Sequence, residues 1–111
     1  MYIGNASISS IATLTLLSAS FEVSINTAII AATAGKSVRV YAVKLVAASA
    51  SDVKWETSTG TDIEGTQSFP LNGGYTEAVD PPAYLFSTPS GQGLSLVTNA
   101  AVAGRVSYWL E

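Results

Sequence analysis

The chain has 111 residues and a net charge of −3 at pH 7; 48% of its residues are hydrophobic and only 12% are charged. It contains neither cysteine nor histidine, which excludes disulfides, thiolate metal sites and catalysis by a Ser–His or Cys–His pair. The uncharged stretch 1–21 is too rich in Ser, Thr and Asn for a membrane-spanning helix, and the five basic residues are too scattered along the sequence to indicate nucleic-acid binding.

Alternation of apolar and polar residues recurs along the chain and predicts an all-β protein of about eight strands. The alternating segments are 8–17, 21–25, 37–48, 52–59, 66–71, 75–79, 84–87, 94–98 and 104–110. Short strands spaced in this way are typical of an antiparallel β-sandwich or barrel, and we predict a jelly-roll-like sandwich. Residues 1–10 are predicted to form an N-terminal arm, and residues 11–111 a single β-sandwich domain.

Segment 37–48 is the longest predicted strand, and it is apolar on both faces. Strict alternation places Val38 and Val40 on one face. It places Val43 and Leu45 on the other. A strand without a polar face is expected at the centre of a sheet or beneath a partner.

Two pairs of later strands are predicted to be hairpins. Asn72-Gly73 is the strongest short-range turn signal in the chain and would join segment 66–71 to segment 75–79. Segments 94–98 and 104–110 would form the closing pair. Between these pairs, Asp80-Pro81-Pro82 interrupts strand pairing because proline has no N–H to donate.

Two short motifs resemble sites of known chemistry, but a turn explains each of them better. Residues 32–37 resemble the end of a phosphate-binding P-loop, yet Ile30 stands where that motif needs glycine, and a strand pattern follows instead of a helix. Asp62 and Glu64 supply two carboxylates, whereas calcium takes about six or more oxygen ligands. We therefore expect no catalytic residue, no metal and no cofactor.

The aromatic residues are the candidates for binding. Trp109 shares a strand face with Arg105, opposite Val106, and is expected to point away from the core. It could be a ligand platform, a subunit contact or a side chain packed beneath its own chain, and the enrichment of Trp in interfaces favours the subunit contact. The predicted interface residues are Tyr2, Ile3, Tyr84, Arg105 and Trp109.

Two stretches carry a resemblance to a known family. Residues 32–40 read A-x-x-G-K-x-V-R-V, and residues 101–108 read A-V-x-G-x-V-x-Y. The region that contains them, about 25–110, resembles small structural proteins of tailed bacteriophages, whose domain opens with the first motif and closes with the second. The resemblance implies a jelly-roll-like sandwich on the virion surface, usually a homotrimer, that partners the major capsid protein or another virion protein.

The sequence leaves two main hypotheses for function. The first is a capsid decoration (cement) protein that stabilises the head by binding between capsid subunits. The alternative is a tail or fibre module that binds a receptor or glycan, and a third hypothesis is a secreted adhesin. An exposed cluster of Trp109 and Tyr84 lining a cleft would favour the glycan module, and a flat apolar face covered by another copy would favour cement.

Deletion of residues 1–10 should leave the sandwich folded but weaken its attachment to a shell or to neighbouring copies. The reason is that Tyr2 and Ile3 lie in the predicted arm and have no obvious place in the core. Thermal unfolding and sedimentation of the truncated and full-length chains test this. Loss of cooperative unfolding after truncation would show that the arm is part of the core.

Overall fold

The computed structural model describes residues 14–111, so the predicted arm 1–10, with Tyr2 and Ile3, and most of the first predicted strand lie outside the described residues. The described part contains nine strands and no helix, and so none that could span a membrane. The strands are β1 (Leu17–Val23), β2 (Thr27–Ile30), β3 (Val38–Ala47), β4 (Ser51–Thr57), β5 (Gln67–Phe69), β6 (Gly74–Ala78), β7 (Phe86–Ser87), β8 (Leu94–Thr98) and β9 (Val102–Leu110).

The strands form two antiparallel sheets. The five-stranded sheet has the order β1-β9-β3-β6, and the short β7 also pairs with β3. The four-stranded sheet has the order β2-β8-β4-β5. The prediction of an all-β antiparallel sandwich is therefore confirmed.

The pairing is nested, which makes the sandwich a jelly roll. The innermost pair is β4 with β5, and around it lie β3 with β6, β2 with β8 and β1 with β9. Pairs enclosed in one another in this way are those formed when one long antiparallel hairpin is folded over. Rolling this hairpin up brings β3 beside β9 and β4 beside β8, and the two sheets result.

A β-bulge in β3 decides which side chains enter the core. The register with β9 shifts between Val40 and Ala42, so that Tyr41 is an extra residue on the β3 side. The bulge changes the phase of the alternation. Val40, Val43 and Leu45 consequently all lie in the core between the sheets and are at most 2% exposed. The prediction that β3 is central is confirmed, but the prediction that its apolar residues divide between two faces is wrong.

The core between the sheets is built around Trp55 of β4, which is completely buried, as the alternation of β4 predicts. Its ring meets Phe21 of β1 edge-on at 5.8 Å between centroids and lies 6.1 Å from the ring of Phe86. Its indole Nε1 donates a hydrogen bond of 2.9 Å to the hydroxyl of Tyr75 on β6. Trp55 thus links the two sheets by packing and by a satisfied polar contact.

Both hairpin predictions pair strands that do not pair in the structure. Asn72 adopts a positive φ of 67° in a tight turn closed by the Gly73 amide and the Pro70 carbonyl. That turn carries the chain from β5 in one sheet to β6 in the other. Likewise β8 and β9 lie in different sheets. A turn signal fixes a local reversal, whereas the pairing on each side depends on strands far away in the sequence.

The strand boundaries near the N-terminal end also differ from the prediction. The structure has one strand over Leu17–Val23, where the alternation predicted a strand ending at residue 17 and another at 21–25. Ile25, expected in that second strand, is 70% exposed in the turn that follows β1. The strand Thr27–Ile30 was not predicted; four residues are too few to show a clear alternation.

Gly104→Ala should destabilise the fold by about 3 kcal/mol, because a Cβ at Gly104 would overlap the carbonyl oxygen of Lys44 and approach Cζ of Phe21 to 2.9 Å. Urea denaturation measures the change. Gly65→Ala is the matched control, since nothing lies within 4 Å of a Cβ at that position. Equal effects of the two substitutions would contradict the close approach of β9 to β3.

Candidate functional site

The outer face of the five-stranded sheet is the side turned away from the four-stranded sheet. Strand register arranges its side chains in rows that run from β1 through β9 and β3 to β6. The small-residue row is Ser18, Ser107, Ala42 and Ala78. The basic row is Ser20, Arg105, Lys44 and Thr76. A third row is Glu22, Ala103, Val46 and Gly74.

A groove of about 370 Å³ lies over the first two of these rows. Lys44 and Arg105 are register partners on adjacent strands, are both exposed, and line the groove together. Their neighbours on the flanking strands, Ser20 and Thr76, bring hydroxyl groups to the same row. We call this feature the basic groove. It offers two cations and several hydroxyl donors to an anion.

Neither cation of the basic groove is neutralised by an ion pair within residues 14–111. The three salt bridges of that region use Arg39 and Lys54. Residues 1–13 contain no Asp or Glu. Glu77 lines the groove from β6 without forming a salt bridge to either cation. Like charges directly opposite each other on neighbouring strands destabilise a sheet. The Lys44–Arg105 pair is therefore expected to lower the stability of the free protein.

An aromatic cluster lies on the same outer face, next to the small-residue row. Trp109 of β9 pairs in register with Arg39 of β3. Its ring contacts Tyr41 at 6.0 Å and Tyr84 at 6.2 Å between centroids, and its Nε1 donates a 2.8 Å hydrogen bond to Glu111. Trp109 is only 1% exposed as a result.

The exposure predicted for Trp109 is therefore wrong, although it does point away from the core between the sheets. Tyr41 is brought over the indole by the bulge in β3, and Tyr84 by the segment between β6 and β7. Of the three alternatives, packing beneath its own chain is the one found. Trp109 cannot contact a second copy or a glycan while this cover is in place.

Tyr84 and Arg105, two further predicted interface residues, are exposed on the outer face. Tyr84 is 42% exposed, and its hydroxyl accepts a 2.8 Å hydrogen bond from the guanidinium of Arg39, whose Cζ lies 4.7 Å from the ring centroid. Tyr2 and Ile3 lie outside the described residues. Lys44 was not predicted, because nothing in the sequence relates it to the distant Arg105.

A second polar depression, of about 310 Å³, lies on the four-stranded sheet. Its polar groups are occupied by one another: Asp52 accepts hydrogen bonds from Ser68 and Asn99, at 2.6 and 3.3 Å. The Asn99 side chain in turn accepts a 2.8 Å hydrogen bond from the backbone of Asp52. These contacts join the β8–β9 turn to β4 and β5, so a structural role accounts for them.

The two carboxylates considered for calcium have different environments. Asp62 forms a 3.0 Å salt bridge with Lys54, which also contacts Glu56, and the hydrogen bond from Lys54 lowers the pKa of Asp62. Burial raises the pKa of Glu64, and the charge of Glu77 raises it further. In residues 14–111 there is no group of three acidic side chains that could hold a metal ion.

Comparison of the sequence with models of protein families and with curated proteins finds no match. The inferences about function therefore depend on the outer face itself and on the motif resemblance described above.

Trp109→Ala should reduce the free energy of unfolding by about 3–5 kcal/mol, because it removes a fully buried indole. Tyr84→Ala, at the exposed edge of the same cluster, should reduce it by about 1 kcal/mol. Urea denaturation of both variants measures the difference. Equal losses would show that Trp109 is no better buried than its cover.

Glu64→Gln should make the fold more stable at neutral pH and have little effect in acid. A carboxyl whose pKa is raised in the folded state stabilises the fold while protonated, and this contribution is lost as the pH rises above the ordinary value of 4.5. Thermal melts of wild type and variant from pH 3 to pH 8 measure the divergence. Glu22→Gln removes the same charge from an exposed position and is the control; a constant offset for Glu64→Gln would contradict the prediction.

Proposed function

We propose that this protein is a non-catalytic structural module of a bacteriophage virion that decorates and stabilises the capsid. The outer face of the five-stranded sheet carries this proposal, since it exposes two cations, Lys44 and Arg105, that form no ion pair within residues 14–111. The jelly-roll order of the strands and the resemblance of the two motifs to those of small virion proteins support the same function. The chain would act by attachment, as a homotrimer on the capsid surface.

Attachment would stabilise the capsid by mass action. A protein that binds the assembled shell and not its separate subunits lowers the free energy of the assembled state, by an amount that grows with the concentration of the free decoration protein. No chemical step is needed, only a rigid fold with a complementary surface. The antiparallel ladders of both sheets and the core packed between them provide such a fold.

The outer face is well suited to contact a protein surface. Its middle consists of the small-residue row, over which another backbone can approach closely. Val46, 42% exposed, adds an apolar contact at one end, and Tyr84, equally exposed, adds one at the other. Tyr and Arg are enriched in protein interfaces, and the outer face presents Tyr84 and Arg105 in exposed positions.

The alternative is a tail or fibre module that binds a receptor or glycan. Its favourable feature is the exposed ring of Tyr84 beside Arg39. The burial of Trp109 weakens it, because only one aromatic ring of the cluster is left substantially exposed for stacking on a sugar.

Fractionation of virions tests the proposal. Particles made from the genome that encodes the chain are separated into heads and tails, and each fraction is probed with an antibody to the chain. We expect the chain in the head fraction, and we expect purified protein to raise the melting temperature of heads that lack it. Its presence in the tail fraction alone would support the alternative, and its absence from virions would overturn both.

A further inference from the structure

We propose that the basic groove binds a short acidic segment of a partner protein, whose carboxylates contact Lys44 and Arg105 together. This inference depends on the proposed function only for the identity of the partner, which would be a capsid protein. The chemistry of the ligand follows from the groove itself. The juxtaposition of two cations from distant parts of the sequence is the observation that carries it.

The geometry favours a carboxylate shared between the two cations. Lys44 and Arg105 are directly opposed on β3 and β9, so their Cβ atoms are about 5 Å apart. A guanidinium can hold a carboxylate through two parallel hydrogen bonds, and an ammonium adds a third from the side. Ser20 and Thr76 continue the row on both sides with hydroxyl donors for neighbouring polar groups.

The charges favour an anionic ligand that comes from outside the chain. The two cations repel each other in the free protein, and among residues 14–111 Glu77 is the one acidic residue that lines the groove. A bound carboxylate would relieve this repulsion, and the electrostatic free energy released in this way would favour binding. Electrostatic complementarity of this kind contributes mainly to the specificity and the rate of association.

The floor of the groove favours a peptide over a sugar or a nucleic acid. Ala42, Ala78 and Ser107 keep the floor low, so an extended backbone can lie on it. No aromatic ring from the described part of the chain lines the groove, so residues 14–111 offer no platform there for stacking on a sugar or a base. Two cations on a chain of net charge −3 are also too few to follow a phosphate backbone.

Binding of a fluorescein-labelled hexaglutamate peptide, measured by fluorescence anisotropy at low ionic strength, tests the proposal. Wild-type protein should bind this peptide and not hexaglutamine. Lys44→Gln should weaken binding about tenfold, as expected for loss of one charged hydrogen bond, and Arg105→Gln, which removes a two-pronged contact, should weaken it at least as much. Lys36→Gln removes the same charge from an exposed turn outside the groove and should bind as wild type does.

A stability measurement separates a binding role from a structural one. Because the two cations repel each other, Lys44→Gln should melt at the same temperature as wild type or higher at low salt. A marked fall in melting temperature would show that Lys44 supports the fold, and it would overturn the proposal. Unchanged hexaglutamate binding by the Lys44→Gln/Arg105→Gln double variant would overturn it too.

Two further outcomes separate this proposal from other ligands and from the proposed function. Groove-dependent binding of a heparin hexasaccharide, without binding of hexaglutamate, would overturn it in favour of a sulfated glycan. If the double variant still joins heads as wild type does, the groove proposal fails and the virion function stands. If the chain is absent from virions but hexaglutamate binding depends on Lys44 and Arg105, the groove proposal stands and the virion function fails.

Discussion

The antiparallel pairing of β3 with β9, offset by the bulge at Tyr41, is the constraint on which the rest of the structure depends. It closes the rolled hairpin by joining its third strand to its last. The bulge lets one strand give Val38 and Val40, and then Val43 and Leu45, to the same core. Without the bulge, alternation would send half of these side chains to the outer face, and the sandwich would lose much of its buried apolar area.

The same bulge shapes the outer face. Two consecutive residues, Tyr41 and Ala42, lie on that side of β3: the first covers Trp109, and the second begins the low floor of the groove. The aromatic cluster and the basic groove are thus neighbours with a common structural cause. One is closed by its own chain and contributes to stability, and the other is open and available for binding.

The chemistry of the outer face is consistent with attachment to another protein. The chain has few charges, and it places two of its five basic residues opposite each other. Such an arrangement gives little to the stability of a free protein and is useful where a complementary anion is supplied by a partner. Small side chains around the cations allow the partner to approach, which would be hindered by the bulky surface residues common on solvated sheets.

The sequence by itself determined the fold class, the central position of β3, the burial of Trp55 and the turn within residues 32–37, because each follows from local alternation or local backbone conformation. Only the tertiary structure decided which strands pair, which side of β3 faces the core and what covers Trp109. Alternation tells which residues share a face of a strand, but it contains no information about which distant strand lies alongside, or in which register. Lys44 and Arg105 are separated by most of the domain in sequence, so only the β3–β9 register could reveal that they form one site.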